Sequence, residues 1–502
     1  MLKITLSQRI VHLDLKGAPL KVSYLEQLLT TIKEWGVTGI LLEWEDTFPY
    51  AADLVEIGSL SNAGGDNMYS LAEVQHIIQF ITEKGMEPIQ LIQTIGHMEF
   101  VLKHPKFTEL QELPRSPAVL CPSKPKSQEV VRQMIDQALE VQPDAKYFHI
   151  GADEVWHLGI CPQCKEKAEN HKHKAASLYL EHIRDLVLYI KEKRPDIMVL
   201  MWDDMLRNLD FDTLQEYNLG ESVIPVLWNY HPENSFAIHD KLIIIYGKLF
   251  PQVWFGSAFK GANGSCQVLS PTDRYVSNHQ AWLLVVQVHT NTRAINFCGV
   301  VMTGWSRYDH YATLCELMPV ALPSLAQCLR VLTKAEGLNI GIERQKLGPY
   351  HPQSFRKLMY IALTNRKPEN DHSLNEVLPS GQWPGEQLAR SVHAYFIARE
   401  RCLSILSSDL VNTWLNPWQI SRGYTVPGHV QGILVAAEHS LQELQVVKVD
   451  VTTFLLEITG ERSTEEWVKS FIDPLIVKIT KLGERARARV VCDAGVRPIA
   501  PE

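Results

Sequence analysis

Residues 146–156 read Lys-Tyr-Phe-His-Ile-Gly-Ala-Asp-Glu-Val-Trp, and they carry the densest chemistry in the chain. Tyr147, Phe148 and Ile150 form an apolar run short enough for a buried strand. Gly151-Ala152 ends it and delivers two adjacent carboxylates, Asp153 and Glu154, with His149 just before them. Carboxylates are almost never fully buried without a partner, so a pair at the tip of an apolar strand is either salt-bridged or placed to move protons. Paired carboxylates beside tryptophans fit glycoside hydrolysis, in which an acid protonates the leaving oxygen and the oxocarbenium-like centre is stabilised. Sugars also present apolar faces on which aromatic rings stack. Adjacency is an obstacle to the usual form of that reaction. Consecutive strand residues point to opposite faces, so Asp153 and Glu154 are an awkward nucleophile and acid. A 2-acetamido sugar removes the obstacle by attacking its own anomeric carbon through the acetamide oxygen. Glu154 then serves as acid and base, and Asp153 orients the acetamido N–H.

The elements that must position this pair repeat along the chain. Arg9 to Asp14 reads as a strand, Tyr24 to Trp35 has helical spacing, and Ile40 to Trp44 is a second strand ending in Glu45-Asp46. Further strand-like runs follow at 86–93, 147–150, 197–204, 223–230, 252–258 and 298–308, separated by helix-compatible segments. Eight strands alternating with helices predict a parallel sheet covered on both faces, either open and doubly wound or closed as a (β/α)8 barrel. The count favours the TIM barrel. So do the strand ends, which carry Asp14, Asp46, His97, Asp153, Glu154, Trp202, Asp204, Trp228, Tyr230, Trp305 and Arg307. In a barrel these all meet at one mouth. An open sheet would call for a Gly-rich phosphate turn after the first strand, and Asp14-Leu-Lys-Gly-Ala-Pro is not one. The expected organisation is a catalytic barrel over 1–335, a Pro- and Gly-rich linker or wrap over 336–384 with one helix at 355–363, and a mainly helical C-terminal domain over 385–502. Helices are expected there near 385–407, 427–460 and 464–482, with Thr464-Glu-Glu466 as a helix start. That domain shows no chemistry of its own; it packs on the barrel or forms a homodimer.

Composition narrows the class. At 45% hydrophobic and 21% charged residues the chain is an ordinary globular protein, and its net charge of −8 argues against a nucleic-acid partner. The N-terminus lacks a secretory h-region, and no apolar run is long enough to span a bilayer. Nine scattered cysteines, an odd number, do not form a disulfide framework, which points to a reducing compartment such as the cytoplasm.

His149-Ile-Gly-Ala-Asp153-Glu154 resembles the His-x-Gly-Gly/Ala-Asp-Glu motif of the family 20 β-N-acetylhexosaminidases. Glu45-Asp46-Thr-Phe-Pro-Tyr50 is similar to that family's Asp-Asp-x-Phe-Pro-Tyr segment, and Gly96-His97 to its Gly-His after the third strand. Arg9 resembles the arginine that binds the sugar's 3- and 4-hydroxyls. The likeness covers the barrel, and within the family it is strongest to members lacking both a secretory signal and an N-terminal accessory domain. It implies a retaining exo-glycosidase that releases terminal β-linked GalNAc or GlcNAc from a glycoconjugate, without metal or cofactor, in the cytoplasm and the nucleus. It also implies substrate-binding roles for Arg9, Asp46, His97, His149, Trp202, Trp228, Tyr230 and Trp305. Two departures stand out. The family's Trp-x-Glu near the eighth strand, whose glutamate contacts the outer hydroxyls, reads Trp305-Ser-Arg307. Its acetamide-binding tyrosine after the seventh strand has no counterpart in Phe255-Gly-Ser257-Ala, and Tyr230 is the substitute.

Two other readings compete. One is a metal-dependent hydrolase built on His97, His149 and Asp153; the other is a carbohydrate-binding barrel without catalysis, against which the retention of both carboxylates argues. Cys161-Pro-Gln-Cys164, with His157, His171 and His173 nearby, has half the spacing of a zinc site. Without a second pair it reads as a turn held by packing.

Overall fold

The computed structural model describes residues 6–58, 68–335 and 383–492, and in it the eight apolar runs close on themselves. In chain order the strands are β1 (Gln8–Asp14), β2 (Gly39–Glu43), β3 (Glu87–Leu91), the hairpin strands β4 (Gln111–Leu113) and β5 (Ser116–Leu120), then β6 (Tyr147–His149), β7 (Met198–Trp202), β8 (Val223–Trp228), β9 (Val253–Lys260) and β10 (Phe297–Gly304). All but the antiparallel β4–β5 pair form one parallel barrel, and β10 pairs back onto β1 with Gln8 opposite Gly299. Helices α1 (Val22–Glu34), α2 (Leu71–Glu83), α3 (Glu99–Leu102), α4 (Pro125–Glu140), α5 (Pro162–Glu169), α6 (Ala175–Lys193), α7 (Phe211–Tyr217), α8 (Asp240–Leu249), α9 (Thr272–Thr292) and α10 (Met318–Ala335) accompany the strands. Among the described residues no helix is long and apolar enough to cross a membrane.

Period-2 alternation separates two cores. Ile10, Leu41, Ile89, Leu91, Leu200, Trp202, Ile224, Val226, Trp254 and Val301 fill the barrel interior. Their neighbours Val11, Ile40, Leu42, Val199 and Met201 face outward into the layer under the helices. This parity fixes what the mouth receives. Continuing the inner face of β1 from Ile10 leads to His12 and Asp14, that of β2 leads from Leu41 to Glu43, and that of β3 from Leu91 to Gln93.

Past the barrel come α11 (Glu386–Leu406), α12 (Asp409–Trp414), α13 (Pro417–Arg422), α14 (Pro427–Ile458), α15 (Glu461–Trp467), a π turn over Val468–Ile472 and α16 (Asp473–Val490). The expected helix at 355–363 lies outside the described residues. The expected start at Thr464 is corrected: the helix begins at Glu461, where Gly460 at φ 98 breaks the preceding chain. Thr464 instead turns its hydroxyl back onto the Gly460 carbonyl at 2.6 Å.

The helical region shares one continuous hydrophobic core with the barrel's outer layer. Polar contacts join them as well. The Lys21 amide donates to the Ile458 carbonyl at 2.7 Å, and Arg307, just past β10, forms a two-point ion pair with Glu466 of α15, Nη2 lying 2.6 Å from Oε2. Arg307 is buried and also donates to the Lys16, Gly17 and Ala312 carbonyls. Removing one member of a buried pair leaves the other charge uncompensated, at a cost of about 3–5 kcal/mol. Glu466 retains partial exposure, so Arg307→Met is expected to lower unfolding free energy by about 2–4 kcal/mol. Urea unfolding would show it, and a loss under about 0.5 kcal/mol would deny the pair its structural role.

Candidate active site

The loop after β6 carries the two carboxylates on an unusual backbone. Gly151, Ala152 and Glu154 all take positive φ (63°, 72° and 51°), which aims successive side chains where an extended strand cannot. Glycine is required at two positions around it. A Cβ on Gly151 would meet Gln93 Oε1 at 2.0 Å, and one on Gly96 would meet the Asp153 carbonyl oxygen at 2.0 Å. Tyr179 of α6 supports the loop from behind, its hydroxyl donating to the Ala152 carbonyl at 2.8 Å.

Asp153 sits in a cradle of donors. Gln93 Nε2 donates to Asp153 Oδ1 at 3.2 Å and to Glu43 Oε1 at 3.3 Å, while His97 Nε2 lies 3.4 Å from Asp153 Oδ2 and 3.3 Å from Glu154 Oε2. Burial opposes charge on His97, but the carboxylates, Asp153 foremost, outweigh it and raise its pKa well above the usual histidine value. The balance therefore favours the protonated ring. Its contribution to stability is full below the unfolded pKa and is lost as pH rises through the folded one. Glu154 is the accessible member, its side chain 34% exposed against 9% for Asp153.

The neighbouring carboxylates are already engaged. Asp204 accepts the Glu154 N–H at 2.9 Å and the Trp228 indole N–H at 3.2 Å; burial, then the charge of Asp153, push it up to about 7. Glu43 is fully buried, which by itself would raise its pKa, yet Lys16 at 3.6 Å and His12 at 2.8 Å hold it well below the usual carboxylate range. Lys16 also faces Asp14 at 3.3 Å and stands 5.0 Å over the Trp305 ring. A second acidic corner follows β2. Glu45 contacts His310 at 3.0 Å, while burial pushes it up to about 7. Asp46 accepts the Gly17 N–H at 2.9 Å, with Lys103 3.8 Å away.

Aromatic rings form the floor and one wall. Trp202, buried, packs against His149 (centroids 4.6 Å) and Trp305 (6.0 Å). Tyr230 stacks on Trp228 at 5.0 Å and meets Trp305 edge-on at 6.5 Å. His149 is a neutral support: burial lowers it to about 3, and its Nδ1 accepts the Gly151 N–H at 3.0 Å.

The structure thus gathers Asp153, Glu154, His97, His149, Trp202, Trp228, Tyr230 and Trp305 around the mouth, with Asp46 in the corner after β2. Arg9 is not among them. It lies near the start of β1, at the opposite end of the barrel, where its guanidinium donates to the Gly36 and Leu6 carbonyls. Lys16 instead brings a cation to the mouth, 3.3 Å from Asp14 and 3.6 Å from Glu43. Arg307 likewise turns away toward Glu466. His12, Lys16, Glu43 and Gln93 escaped sequence reasoning, although the inner-face parity of β1, β2 and β3 carries the signal for three of them. The rival metal set does not assemble: His97, His149 and Asp153 do not bring three ligand atoms within 4.8 Å of one another.

Comparison with known proteins shows the family of the chain. The model of the glycosyl hydrolase family 20 catalytic domain matches residues 43–308. Hexosaminidase D of Homo sapiens is 34% identical over 483 residues, covering 94% of this chain and 93% of its own length. Hexosaminidase D of Bos taurus is 41% identical over 327 residues, 64% of this chain and 91% of its own. Among solved structures, a β-N-acetylhexosaminidase from Bacteroides fragilis covers 71% of this chain and 70% of its own at 15% identity and a TM-score of 0.49. With the catalytic-domain match spanning more than half the chain and the human relative aligned along nearly all of it, the chain belongs to glycosyl hydrolase family 20 and is a glycoside hydrolase of the β-N-acetylhexosaminidase class.

Proposed function

We propose that this enzyme is a retaining exo-glycosidase that removes terminal β-linked GalNAc or GlcNAc by substrate-assisted catalysis. The observation that carries the reading is the position of His97, whose Nε2 lies between Asp153 and Glu154. A nucleophile and an acid would hold the anomeric carbon and the glycosidic oxygen in that space. Here the His97 imidazole fills it, which supports a reading in which the two carboxylates act from one side and the nucleophile comes with the substrate.

In this reading the acetamide oxygen attacks the anomeric carbon as the glycosidic bond breaks, and Glu154 gives its proton to the leaving oxygen. Asp153, held in place by Gln93 and His97, accepts the acetamido N–H and balances the oxazolinium charge. Glu154, now a carboxylate, takes a proton from water as that water opens the ring with net retention. Trp202, Trp228 and Trp305 pack the sugar's apolar face, and Asp46 with its charged neighbours binds outer hydroxyls. The Tyr230 hydroxyl donates to the acetamide oxygen. Burial pushes that phenol up, so it stays a donor through the working pH range. Tyr230→Phe is expected to lower kcat about 10²-fold, the scale for loss of one transition-state donor, and an unchanged kcat would remove the assignment.

A panel of aryl β-glycosides with and without the 2-acetamido group tests the mechanism. Hydrolysis confined to acetamido sugars is expected; a plain β-glucoside cleaved at a comparable kcat/KM would overturn it. With Arg307 committed to Glu466, no residue at position 307 reads the 4-hydroxyl, so GlcNAc and GalNAc substrates are expected within about tenfold of each other, and a thousandfold preference would contradict this.

A further inference from the structure

The sequence supplies only half of a zinc pattern, and the fold supplies the rest from elsewhere. Cys161 caps α5, its Sγ accepting the Cys164 N–H at 3.3 Å. Cys121, the residue after β5, brings its Sγ to 3.4 Å from both Cys161 Sγ and Cys164 Sγ. Glu112 of β4 completes the group. One ligand atom from each of the four lies within 4.8 Å of the others, and all four residues are buried. The histidines that flank the motif in sequence lie elsewhere: His171 pairs with Glu181 and His173 with Glu216.

Two observations distinguish this cluster from ordinary packed thiols. Glu112 Oε1 accepts the Ile160 and Cys161 N–H groups at 2.6 and 3.0 Å, but Oε2 is buried with no hydrogen-bond partner. A carboxylate oxygen of Glu112 lies within 4.8 Å of all three sulfurs, and a buried carboxylate among thiols is costly unless a cation joins them. The spacing also suits an ion. Sulfurs 3.4 Å apart are too distant for a disulfide, which needs about 2.05 Å, and within a few tenths of an ångström of the roughly 3.8 Å between two thiolates on a tetrahedral zinc bound at about 2.3 Å.

We propose that Glu112, Cys121, Cys161 and Cys164 bind a structural zinc ion. Soft thiolates select zinc over the hard divalent cations, and four protein ligands leave no open position for chemistry. Binding displaces the thiol protons to solvent, and the N–H groups of Ile160, Cys161 and Cys164 stabilise the resulting negative charge. The ion joins the β4–β5 hairpin to the start of α5, eight residues after Glu154 in sequence. Leu178 packs on the same cluster, and the next residue, Tyr179, holds the Ala152 carbonyl. The site therefore braces the acid-bearing loop from behind without touching substrate.

The test is elemental analysis of the full chain purified under thiol reductant from zinc-supplemented cells. About one zinc per chain is expected in the wild type and less than about one tenth in Cys121→Ser and Cys164→Ser, by the ligand-count rule for structural sites. Because a serine variant can fail to fold, Glu112→Gln and the wild type provide independent readings. The glutamine variant should lose zinc to a chelator faster than wild type, and cobalt substitution of the wild type should give the charge-transfer band of a tetrahedral thiolate site. Wild-type protein that neither carries nor takes up zinc, that shows no such band with cobalt, or that holds two of these cysteines as a disulfide would overturn the proposal.

Discussion

Glu154→Gln is expected to reduce kcat on β-N-acetylhexosaminides with poor leaving groups by about 10³–10⁴-fold, the upper range for general acid catalysis, with little change in KM. The amide keeps the side chain's shape and its place near His97 but cannot deliver a proton. The loss should shrink sharply for an aryl leaving group acidic enough to depart unprotonated, because only the deglycosylation half of the reaction still needs the residue, as base. That leaving-group dependence separates an acid from a residue that merely shapes the pocket. Wild-type rates for the variant on a simple alkyl glycoside would end the assignment. Asp204, a nearby carboxyl that burial and the charge of Asp153 push up to about 7, does not replace Glu154, since its two oxygens already accept the Glu154 amide and the Trp228 indole.

Asp153→Asn should cost about 10²–10³-fold in kcat, comparable to losing one preorganised electrostatic partner of the transition state. The amide can still accept a hydrogen bond from the acetamido N–H, but it carries no charge to set against the oxazolinium. It also removes the main reason for the raised pKa of His97. The variant should therefore lose its protonated histidine at lower pH than the wild type, and titration of His97 by NMR would show it. A variant with reduced kcat and an unmoved His97 titration would mean that the carboxylate serves the substrate but does not hold the imidazolium.

The barrel was legible in the sequence because each strand is an apolar run ended by polar or aromatic groups, and eight such runs admit few architectures. Asp153 and Glu154 were legible from their adjacency. Arg9 was misread because distance along a strand is distance down the barrel. Five residues before Asp14, at about 3.3 Å each, is roughly 17 Å from the mouth. Lys16 was overlooked since it lies in the turn beyond Asp14, where periodicity gives no direction. The Arg307–Glu466 pair and the joining of Cys121 and Glu112 to Cys161 and Cys164 depend on tertiary closure, which no local pattern encodes. The positive φ of Glu154 was equally hidden: nothing about a glutamate announces a left-handed backbone.

That backbone angle sets activity against robustness. A left-handed non-glycine residue costs about 1–2 kcal/mol, and glycine or asparagine would relieve part of it at position 154. Breeding this enzyme for heat resistance alone, with no screen for turnover, would reward discarding the residue proposed as its acid. Survivors of such a selection are expected to melt later and to turn over substrates with poor leaving groups far more slowly.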